Sequence, residues 1–249
     1  MCNLTVILNG YRRPEYLKEQ IEAIKNQSVP IDIQIALFNN WSEKYNDFDP
    51  ELLKECFTVR ANSNLGVWAR FTYALNFSTP FLAVLDDDTI PGTKWFENCF
   101  NTMEKKEGLI GCRGLRFNGN DYYNYPSCHY QSFGPGYPNE EPEEVDIIGH
   151  CWFFKREWLR AYWAELPPML PQSGGEDMHF SYAIQKHFGL PSIIAPHPRD
   201  DKEMWGSVKC DEYGSDMKAT SRTMNGFQHA NGYWRYILGQ GYRLVKDKK

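Results

Sequence analysis

Short apolar runs predict four strands in the first third of the chain. Leu4–Leu8 and Phe81–Leu85 are apolar almost throughout, which is typical of strands buried on both faces of a parallel sheet. Apolar residues alternate with others over 31–37, and residues 56–59 form another short apolar run. Four strands are therefore expected before the chain reaches residue 86.

Helical spacing occupies the stretches between and after these strands. Pro14 suits the first turn of a helix, and apolar residues then recur every three or four positions over 17–24. The same spacing follows Gly66 and returns over 95–103. Strand and helix signals that alternate in this way predict an α/β fold, in which helices flank a mixed, mainly parallel sheet.

The second half of the chain is less regular. Residues 118–143 are rich in Gly, Pro, Asn and Tyr and predict a long loop, of the kind that often forms a lid or a binding surface. We find no internal repeat and no domain boundary, which favours a single domain over residues 1–249. The elements expected after the loop are a strand at Val145–Phe154, a helix at Arg156–Trp163, a helix from Glu176 that stops at Gly189, and a strand at Ser192–Ala195.

Polar segments directly follow three of the predicted strands. These segments are Asn9–Arg13, Asn39–Asn40 and Asp86–Asp88. In open α/β sheets, ligands bind in the crevice at the carboxyl ends of the strands. We therefore expect the three segments to converge on one binding site.

The stretch FLAVLDDDTIPG places three adjacent carboxylates after a buried strand. A solvated turn would tolerate this repulsion, but a divalent cation would make the cluster favourable. Asp86 and Asp88 project to the same side of an extended segment, and their oxygens suit Mg²⁺ or Mn²⁺ shared with ligand phosphates. Asp87 faces the other way and is predicted to bind a sugar hydroxyl. The buried strand and the arginines elsewhere in the predicted crevice favour the metal site.

Composition and charge narrow the class of protein. The chain has 249 residues, of which 42% are hydrophobic, so a folded globular protein is expected. The net charge of −5 argues against a general nucleic-acid binder. No apolar run approaches the roughly 18 residues that a transmembrane helix needs, and the N-terminus does not resemble a signal peptide. Seven scattered cysteines without a CxxC pair indicate reduced thiols, so a cytoplasmic location is expected.

Five motifs, in order along the chain, together resemble the GT-A glycosyltransferases. LDDDTIPG is similar to their DxD motif, and TVILNGYRRPEYL and ALFNNWSEK resemble their first two strand ends. NSNLGVWARFTYAL resembles the segment before the metal motif, and GGEDMHFSYAIQKHFG the late acidic segment on the acceptor side. Among GT-A enzymes the motifs are most similar to the exostosin-type transferase domain. The resemblance covers about residues 3–200 and implies a Rossmann-like GT-A domain.

The resemblance also implies an activity and a division of the chain. A sugar, a hexose or deoxyhexose, would pass from a nucleoside diphosphate donor, with UDP favoured, to a glycan or other hydroxyl acceptor, with Mn²⁺ (or Mg²⁺) as cofactor. Residues of about 1–110 would bind the nucleotide and about 111–249 the acceptor. The residues implied around the nucleotide sugar are Tyr11, Arg12, Arg13, Asn39, Asn40, Asn64, Arg70, Asp86 and Asp87.

Several of these residues have a simpler alternative role. Tyr11 would stack on or border the uracil, whereas Asn39 and Asn40 could bind the base or ribose or simply form turns. Arg12 or Arg13 would meet the base or phosphates, and the sequence does not separate the two. Arg70 would place a cation near the diphosphate or the aspartates, or lie exposed on a helix.

A late acidic pair and a late histidine complete the candidate site. Glu176 and Asp177 open a helix, where an acid can act as a cap or as a catalytic group. By resemblance Asp177 is the stronger candidate, either as the base for the acceptor or as a group that orients it. His197 is a candidate third metal ligand beside Asp86 and Asp88.

Two other functions are consistent with parts of this pattern. A nucleotidyltransferase also combines an α/β sheet, a divalent ion and a nucleotide, but NGYRRPE is a poor match to its phosphate loop. A non-catalytic carbohydrate-binding module would have no need to keep Asp86, Asp88 and Asp177 together. A metal-dependent glycosyltransferase is therefore the preferred interpretation.

Overall fold

The computed structural model describes residues 3–44, 47–119, 129–166, 174–210, 212–214, 218 and 224–248, with the backbone alone for 224–230. Within these residues the strands form a single nine-stranded sheet. The strands are β1 Leu4–Gly10, β2 Ile33–Asn39, β3 Phe57–Arg60, β4 Phe81–Leu85, β5 Leu109–Phe117, β6 Tyr130–Phe133, β7 Glu143–Val145, β8 Ile147–Lys155 and β9 Ser192–Ile194.

Helices connect and cover these strands. The predicted helices after Pro14, Gly66 and Gly92 are all present, and Gly189 ends the late helix in a left-handed conformation, as expected. The α-helices are α1 Leu17–Lys25, α2 Pro50–Lys54, α3 Ala69–Ala74, α4 Trp95–Lys105, α5 Leu159–Ala164, α6 Glu176–Phe188 and α7 Met224–Gly239.

The sheet is mixed and mostly parallel, as the alternation of elements predicts. Its order is β3-β2-β1-β4-β8-β5-β9-β7, with β6 paired to β5. β8 runs antiparallel to both β4 and β5, while β9 is parallel to β5. β1 to β5 and β9 therefore point one way, and β6, β7 and β8 point the other way. The apolar β1 and β4 lie side by side inside the sheet, which explains why both are hydrophobic on both faces.

Four of the described strands and α-helices, α2, β5, β6 and α7, were not expected from the pattern, and one expected element divides. β5 contains Gly111 and Gly114, which interrupt its apolar run. A Cβ atom at these positions would lie 2.5 Å from Ile148 and 2.6 Å from Ile194, so close strand packing requires the glycines. α7 was expected only as a polar and aromatic tail. The predicted strand Val145–Phe154 becomes β7 and β8, which pair with different strands.

The loop predicted over 118–143 is partly ordered into strands. β6 lies within it and β7 begins at its end, so the prediction of one continuous loop is wrong for the described part. Residues 120–128 lie outside the described residues. Among the residues that the structure does describe, no helix is both long enough and apolar enough to cross a bilayer.

Candidate active site

The polar segments after β1, β2 and β4 meet at one edge of the sheet, as predicted. The Asn40 backbone N–H donates to the carbonyl of Gly10, 2.9 Å away, which joins the ends of β1 and β2. The Arg13 side chain reaches the turn after β4 and donates to Asp87 at 2.6 Å. The parallel arrangement of these strands therefore creates a polar crevice at their carboxyl ends.

The aspartate turn after β4 is fixed from two sides. The backbone N–H of Asp86 donates to the carbonyl of His150 on β8 at 2.9 Å. On the other side, the Gln20 amide of α1 donates to the carbonyls of Asp86 and Thr89, at 2.8 and 3.0 Å. Gln20 is itself buried. These bonds hold the turn in place before any ligand binds.

A buried arginine offsets part of the negative charge in this turn. Arg13 Nη1 lies 2.6 Å from Asp87 Oδ1 and 3.2 Å from Asp88 Oδ2. Both Arg13 and Asp87 are buried. The predicted contact of Asp87 with a sugar hydroxyl does not fit this position, because its carboxylate is directed at Arg13. Arg13 was expected, as an alternative to Arg12, at the nucleotide base or the phosphates, and in this structure it faces the aspartates.

Arg70 joins the aspartate turn to the acidic start of α6. Its side chain is 3% exposed, so the alternative of a surface arginine is wrong. Its Nη1 donates a hydrogen bond to Asp86, and its Nη2 donates to Glu176 Oε1 at 2.6 Å. The guanidinium also lies 4.5 Å from the centre of the Trp152 ring. Of the two positions expected for Arg70, the one beside the aspartates is observed.

Asp177 lies next to this ion-pair network with an unusual protonation equilibrium. Burial, followed by the negative charge of Glu176, raises the pKa of Asp177 to about 7. Its Oδ1 accepts a hydrogen bond from the Met178 backbone N–H at 2.7 Å. The residue before the helix, Gly175, has a φ of 90°, which favours glycine. Asp177 is thus a carboxyl group that exchanges its proton near neutral pH.

Asp86, Asp88 and His150 form a cluster that could hold a metal ion. One possible ligand atom from each residue lies within 4.8 Å of the other two. Asp88 Oδ1 is buried and, within the described part of the chain, has no hydrogen-bond partner. A buried carboxylate oxygen without a partner is unfavourable unless another group binds it. The donor set therefore fits a divalent cation.

The expected metal ligand His197 is not part of this cluster. His197 is fully buried, and its Nδ1 lies 2.7 Å from the carbonyl of Ala195. Its Nε2 accepts a hydrogen bond from the backbone N–H of Gly206 at 3.1 Å. Burial lowers the pKa of His197 to about 4, so the ring is neutral at pH 7. Both ring nitrogens are already engaged, and the prediction that His197 binds the metal is wrong.

The residues expected at the nucleoside form a hydrogen-bonded chain along the crevice. Asn40 donates to Asn64 at 3.0 Å, and Asn64 donates to the hydroxyl of Tyr11, also at 3.0 Å. The guanidinium of Arg12 lies 4.8 Å from the centre of the Tyr11 ring. Asn39 is the last residue of β2 and is buried at its end. Tyr11, Asn64 and Asn40 thus share one wall, formed by the segments after β1, β2 and β3.

His150 is the site residue that the sequence interpretation missed. It lies on β8, in the run IIGHCWFFK, where it is the single polar side chain before the terminal lysine. Such an isolated histidine in an apolar strand is a signal that could have been used. The proximity of His150 to Asp86 could not have been predicted from the sequence, because it depends on the antiparallel pairing of β8 with β4.

The sequence matches one known enzyme family over most of this architecture. The family model described as Glycosyl transferase family 2 matches residues 5–163, which include β1 to β4, the aspartate turn and β8. The chain belongs to this family. No curated protein matches the sequence significantly.

Solved glycosyltransferase structures share the fold of this family member. The crystal structure of S. aureus TarS matches with a TM-score of 0.54 and 13% identity, over 79% of this chain and 37% of TarS. A TarS fragment in complex with UDP gives 0.53 and 13%, over 78% of this chain and 60% of the fragment. The same fragment with UDP-GlcNAc gives 0.52 and 12%, over 82% and 60%. This chain therefore spans less than two thirds of these neighbours, and the low identity establishes the shared GT-A fold alone.

Proposed function

We propose that this family 2 glycosyltransferase transfers a sugar from a UDP-sugar to a hydroxyl group of a glycan or other acceptor, with Mn²⁺ (or Mg²⁺) at Asp86 and Asp88. The observation that carries the proposal is the Arg70 bridge between Asp86 and Glu176. These two carboxylates lie in separate motifs. Asp86 is expected at the donor diphosphate, and Glu176 is adjacent to Asp177, the candidate general base. Their common partner brings both motifs to one crevice.

The donor side of the site is built for a diphosphate with a bound cation. Asp86 and Asp88 would hold the ion, which would neutralise the charge that develops on the departing diphosphate. Arg13 forms ion pairs with Asp87 and Asp88 in the absence of the donor. The geometry of the turn is therefore prepared before the donor arrives, which reduces the reorganisation needed for binding.

The acceptor side has a carboxyl group suited to remove a proton. In the proposed reaction Asp177 accepts the proton of the acceptor hydroxyl while that oxygen bonds to the anomeric carbon of the sugar. The bond from this carbon to the diphosphate oxygen breaks, and UDP leaves with the bonding electrons. A general base works best when its pKa is close to the working pH, and the pKa of Asp177 is about 7. Glu176 has a different role, because it is paired with Arg70.

The preference for UDP rests on the nucleoside wall rather than on the diphosphate. Tyr11 offers an aromatic face, and the Asn64 and Asn40 amides lie beside it. These groups can stack on a flat base and bond to its polar edge. The TarS fragment has been crystallised with UDP and with UDP-GlcNAc, which supports the choice of nucleotide.

Asp88→Ala tests the proposal directly. The variant should lose sugar transfer and Mn²⁺-dependent UDP binding, because it removes a metal ligand while leaving Arg13 its bond to Asp87. Donor binding is measured by calorimetry with UDP-, GDP- and dTDP-sugars, with and without Mn²⁺. Asp247→Ala, at an exposed aspartate, is the matched control and should behave as the wild type. Normal transfer by folded Asp88→Ala in excess EDTA would contradict the proposal, and tighter binding of GDP than of UDP would contradict the nucleotide assignment.

A further inference from the structure

We infer that His150 is a nitrogen ligand of the metal ion at the aspartate turn, and that the site consequently prefers Mn²⁺ to Mg²⁺. This inference rests on the proposed function and extends it by a residue outside the DxD motif. Four features support it: the distances from His150 to the two aspartates, the Asp88 oxygen that lacks a hydrogen-bond partner in the described residues, the backbone conformation of His150, and the exposure of its ring.

The distances between His150 and the aspartates suit a shared ion better than direct hydrogen bonds. Its Nδ1 lies 3.9 Å from Asp86 Oδ2 and 3.8 Å from Asp88 Oδ1. Both distances exceed the range of a hydrogen bond. Ligand atoms on one octahedral ion with bonds of about 2.1 Å lie about 3 Å apart when adjacent and about 4.2 Å apart when opposite. The observed separations fall between these two values.

The oxygen of Asp88 that faces His150 strengthens this interpretation. Asp88 Oδ1 is the buried atom that lacks a hydrogen-bond partner in the described residues. The other oxygen, Oδ2, already faces Arg13. A cation between Asp88 Oδ1 and the imidazole would supply a partner for both groups. The unsatisfied oxygen thus points to the same position as the distances do.

The backbone of His150 is held in an uncommon conformation toward the aspartate turn. Its φ is 65°, one of only two positive values among the described non-glycine residues. The His150 carbonyl accepts hydrogen bonds from the Asp86 N–H at 2.9 Å and from Thr89 Oγ1 at 3.0 Å. Strained backbone conformations persist where the surrounding structure enforces them, and they cluster at functional sites. The strand β8 therefore presents this side chain to the turn in a fixed position.

The His150 ring is partly exposed to solvent. Its side chain is 46% exposed, so a ligand can reach it from the crevice. Its acidic neighbours among the described residues are Asp86 and Asp88, and the charge of Arg113 also acts on the ring. Histidines that stabilise the fold are different here: His179 and His197 are buried and bonded through both ring nitrogens.

An imidazole ligand changes which ion the site selects. Mg²⁺ binds oxygen ligands almost exclusively and releases its waters reluctantly. First-row transition ions accept imidazole nitrogen together with carboxylate oxygen. A set of two carboxylates and one imidazole therefore favours Mn²⁺, whereas the two aspartates alone would suit either ion.

His150→Asn is the variant that tests this inference. Asparagine tolerates the positive φ better than most residues, so the backbone of β8 should be preserved while the imidazole is removed. The probe is Mn²⁺ bound with UDP, studied by pulsed electron paramagnetic resonance in a buffer without nitrogen donors. The wild-type complex should show coupling to a directly bound nitrogen nucleus, and His150→Asn should lose it. His187→Asn, which removes an exposed histidine paired with Glu165, should retain the coupling.

Calorimetry gives the second readout of the same variants. Mn²⁺ affinity in the presence of UDP should fall about 10-fold or more in His150→Asn, at least the scale seen when groups around a metal are removed. Mg²⁺ affinity should change much less, so the preference for Mn²⁺ should shrink. Persistent nitrogen coupling in the variant, or its absence in the wild type, would overturn the assignment of His150. An equal loss of affinity for both ions would overturn the preference for Mn²⁺.

The outcome separates this inference from the proposed function. If the wild type binds Mn²⁺ and UDP and transfers sugar without nitrogen coupling, His150 is not a ligand but the function stands. If Asp88→Ala also retains metal-dependent binding and transfer, the proposed function itself is wrong.

Discussion

Individual residues at the site show how buried charge is made tolerable. Arg70 is almost fully buried and touches Asp86 and Glu176, so each carboxylate is compensated by the same cation. Breaking such a buried pair by removing one partner costs about 3–5 kcal/mol, because the remaining charge is left without compensation. Burial raises the pKa of Glu176, and it also raises the pKa of Asp177, which the adjacent charge of Glu176 brings to about 7. The two adjacent residues differ in their surroundings, because Glu176 is ion-paired with Arg70 whereas the carboxylate form of Asp177 is disfavoured by the charge of Glu176.

The reactivity of Asp177 can be tested by Asp177→Asn, which is nearly isosteric but cannot accept a proton. Turnover should fall about 100-fold or more, the usual scale for a positioned acid or base. UDP affinity with Mn²⁺ should change little, because the residues proposed to bind the nucleotide do not include Asp177. The wild-type rate should rise with pH up to about 7, where the carboxyl group loses its proton. An unchanged turnover number would show that Asp177 acts only as a cap at the start of the helix. Equal losses of UDP affinity and turnover would show that it contacts the nucleotide.

The same substitution has a predicted effect on stability that depends on pH. The pKa of Asp177 is raised from 3.8 to about 7 in the folded protein, so folding favours the protonated form. Its contribution to the free energy of unfolding is complete below pH 3.8 and is lost as the pH rises through about 7. Asp177→Asn lacks this loss, so the Tm of the variant relative to the wild type should increase between pH 4 and pH 8. A Tm difference that is constant over this range would show that Asp177 has an ordinary pKa.

At the level of secondary-structure elements, the sequence predicts well the strands and helices that have a regular hydrophobic pattern. It predicts poorly those whose pattern is interrupted. β1 and β4 have apolar runs with little interruption, and both strands are confirmed. β5 was missed because Gly111 and Gly114 serve the packing of neighbouring strands, which a local pattern does not contain. α7 was missed for a related reason, since its glycines weaken the helical pattern while Trp234 and Ile237 are buried by tertiary contacts. Local propensity yields to packing at both places.

One buried carboxylate joins the end of β5 to the segment that follows α7, and its removal should destabilise the fold without affecting the site. Asp146 accepts hydrogen bonds from the backbone N–H groups of Phe117 and Val245, both at 2.7 Å. Asp146→Ala removes both bonds and should lower the free energy of unfolding by about 3–6 kcal/mol, from about 1.5–3 kcal/mol for each lost bond to a charged group. Urea denaturation measures the change, with the exposed Asp247→Ala as control. A loss of Mn²⁺–UDP binding by the folded variant would contradict the separation of this anchor from the site.

At the scale of the whole molecule, the site depends on contacts between distant parts of the chain. The expected segments after β1, β2 and β4 do meet, because parallel strands bring their carboxyl ends to one edge. The partners within that edge were not predictable: Arg13 with Asp87, and Arg70 with Glu176, span 74 and 106 positions. His150 was not considered from the sequence, and the expectation for His197 failed for the same reason. Only the pairing of β8 with β4 shows which histidine reaches the aspartates.

If the crevice binds a metal and a nucleotide together, the two should stabilise the entire fold jointly. A ligand present at 100 times its Kd stabilises the native state by about 2.7 kcal/mol, which corresponds to a Tm increase of about 5–10 °C for a domain of this size. UDP with Mn²⁺ should produce this shift in the wild type, whereas either one alone should produce much less, because the diphosphate supplies ligands that the ion shares. EDTA should reverse the shift, and Asp88→Ala should lack it. Equal shifts with UDP in the presence and absence of Mn²⁺ would show that the nucleotide binds without the aspartate turn and its ion.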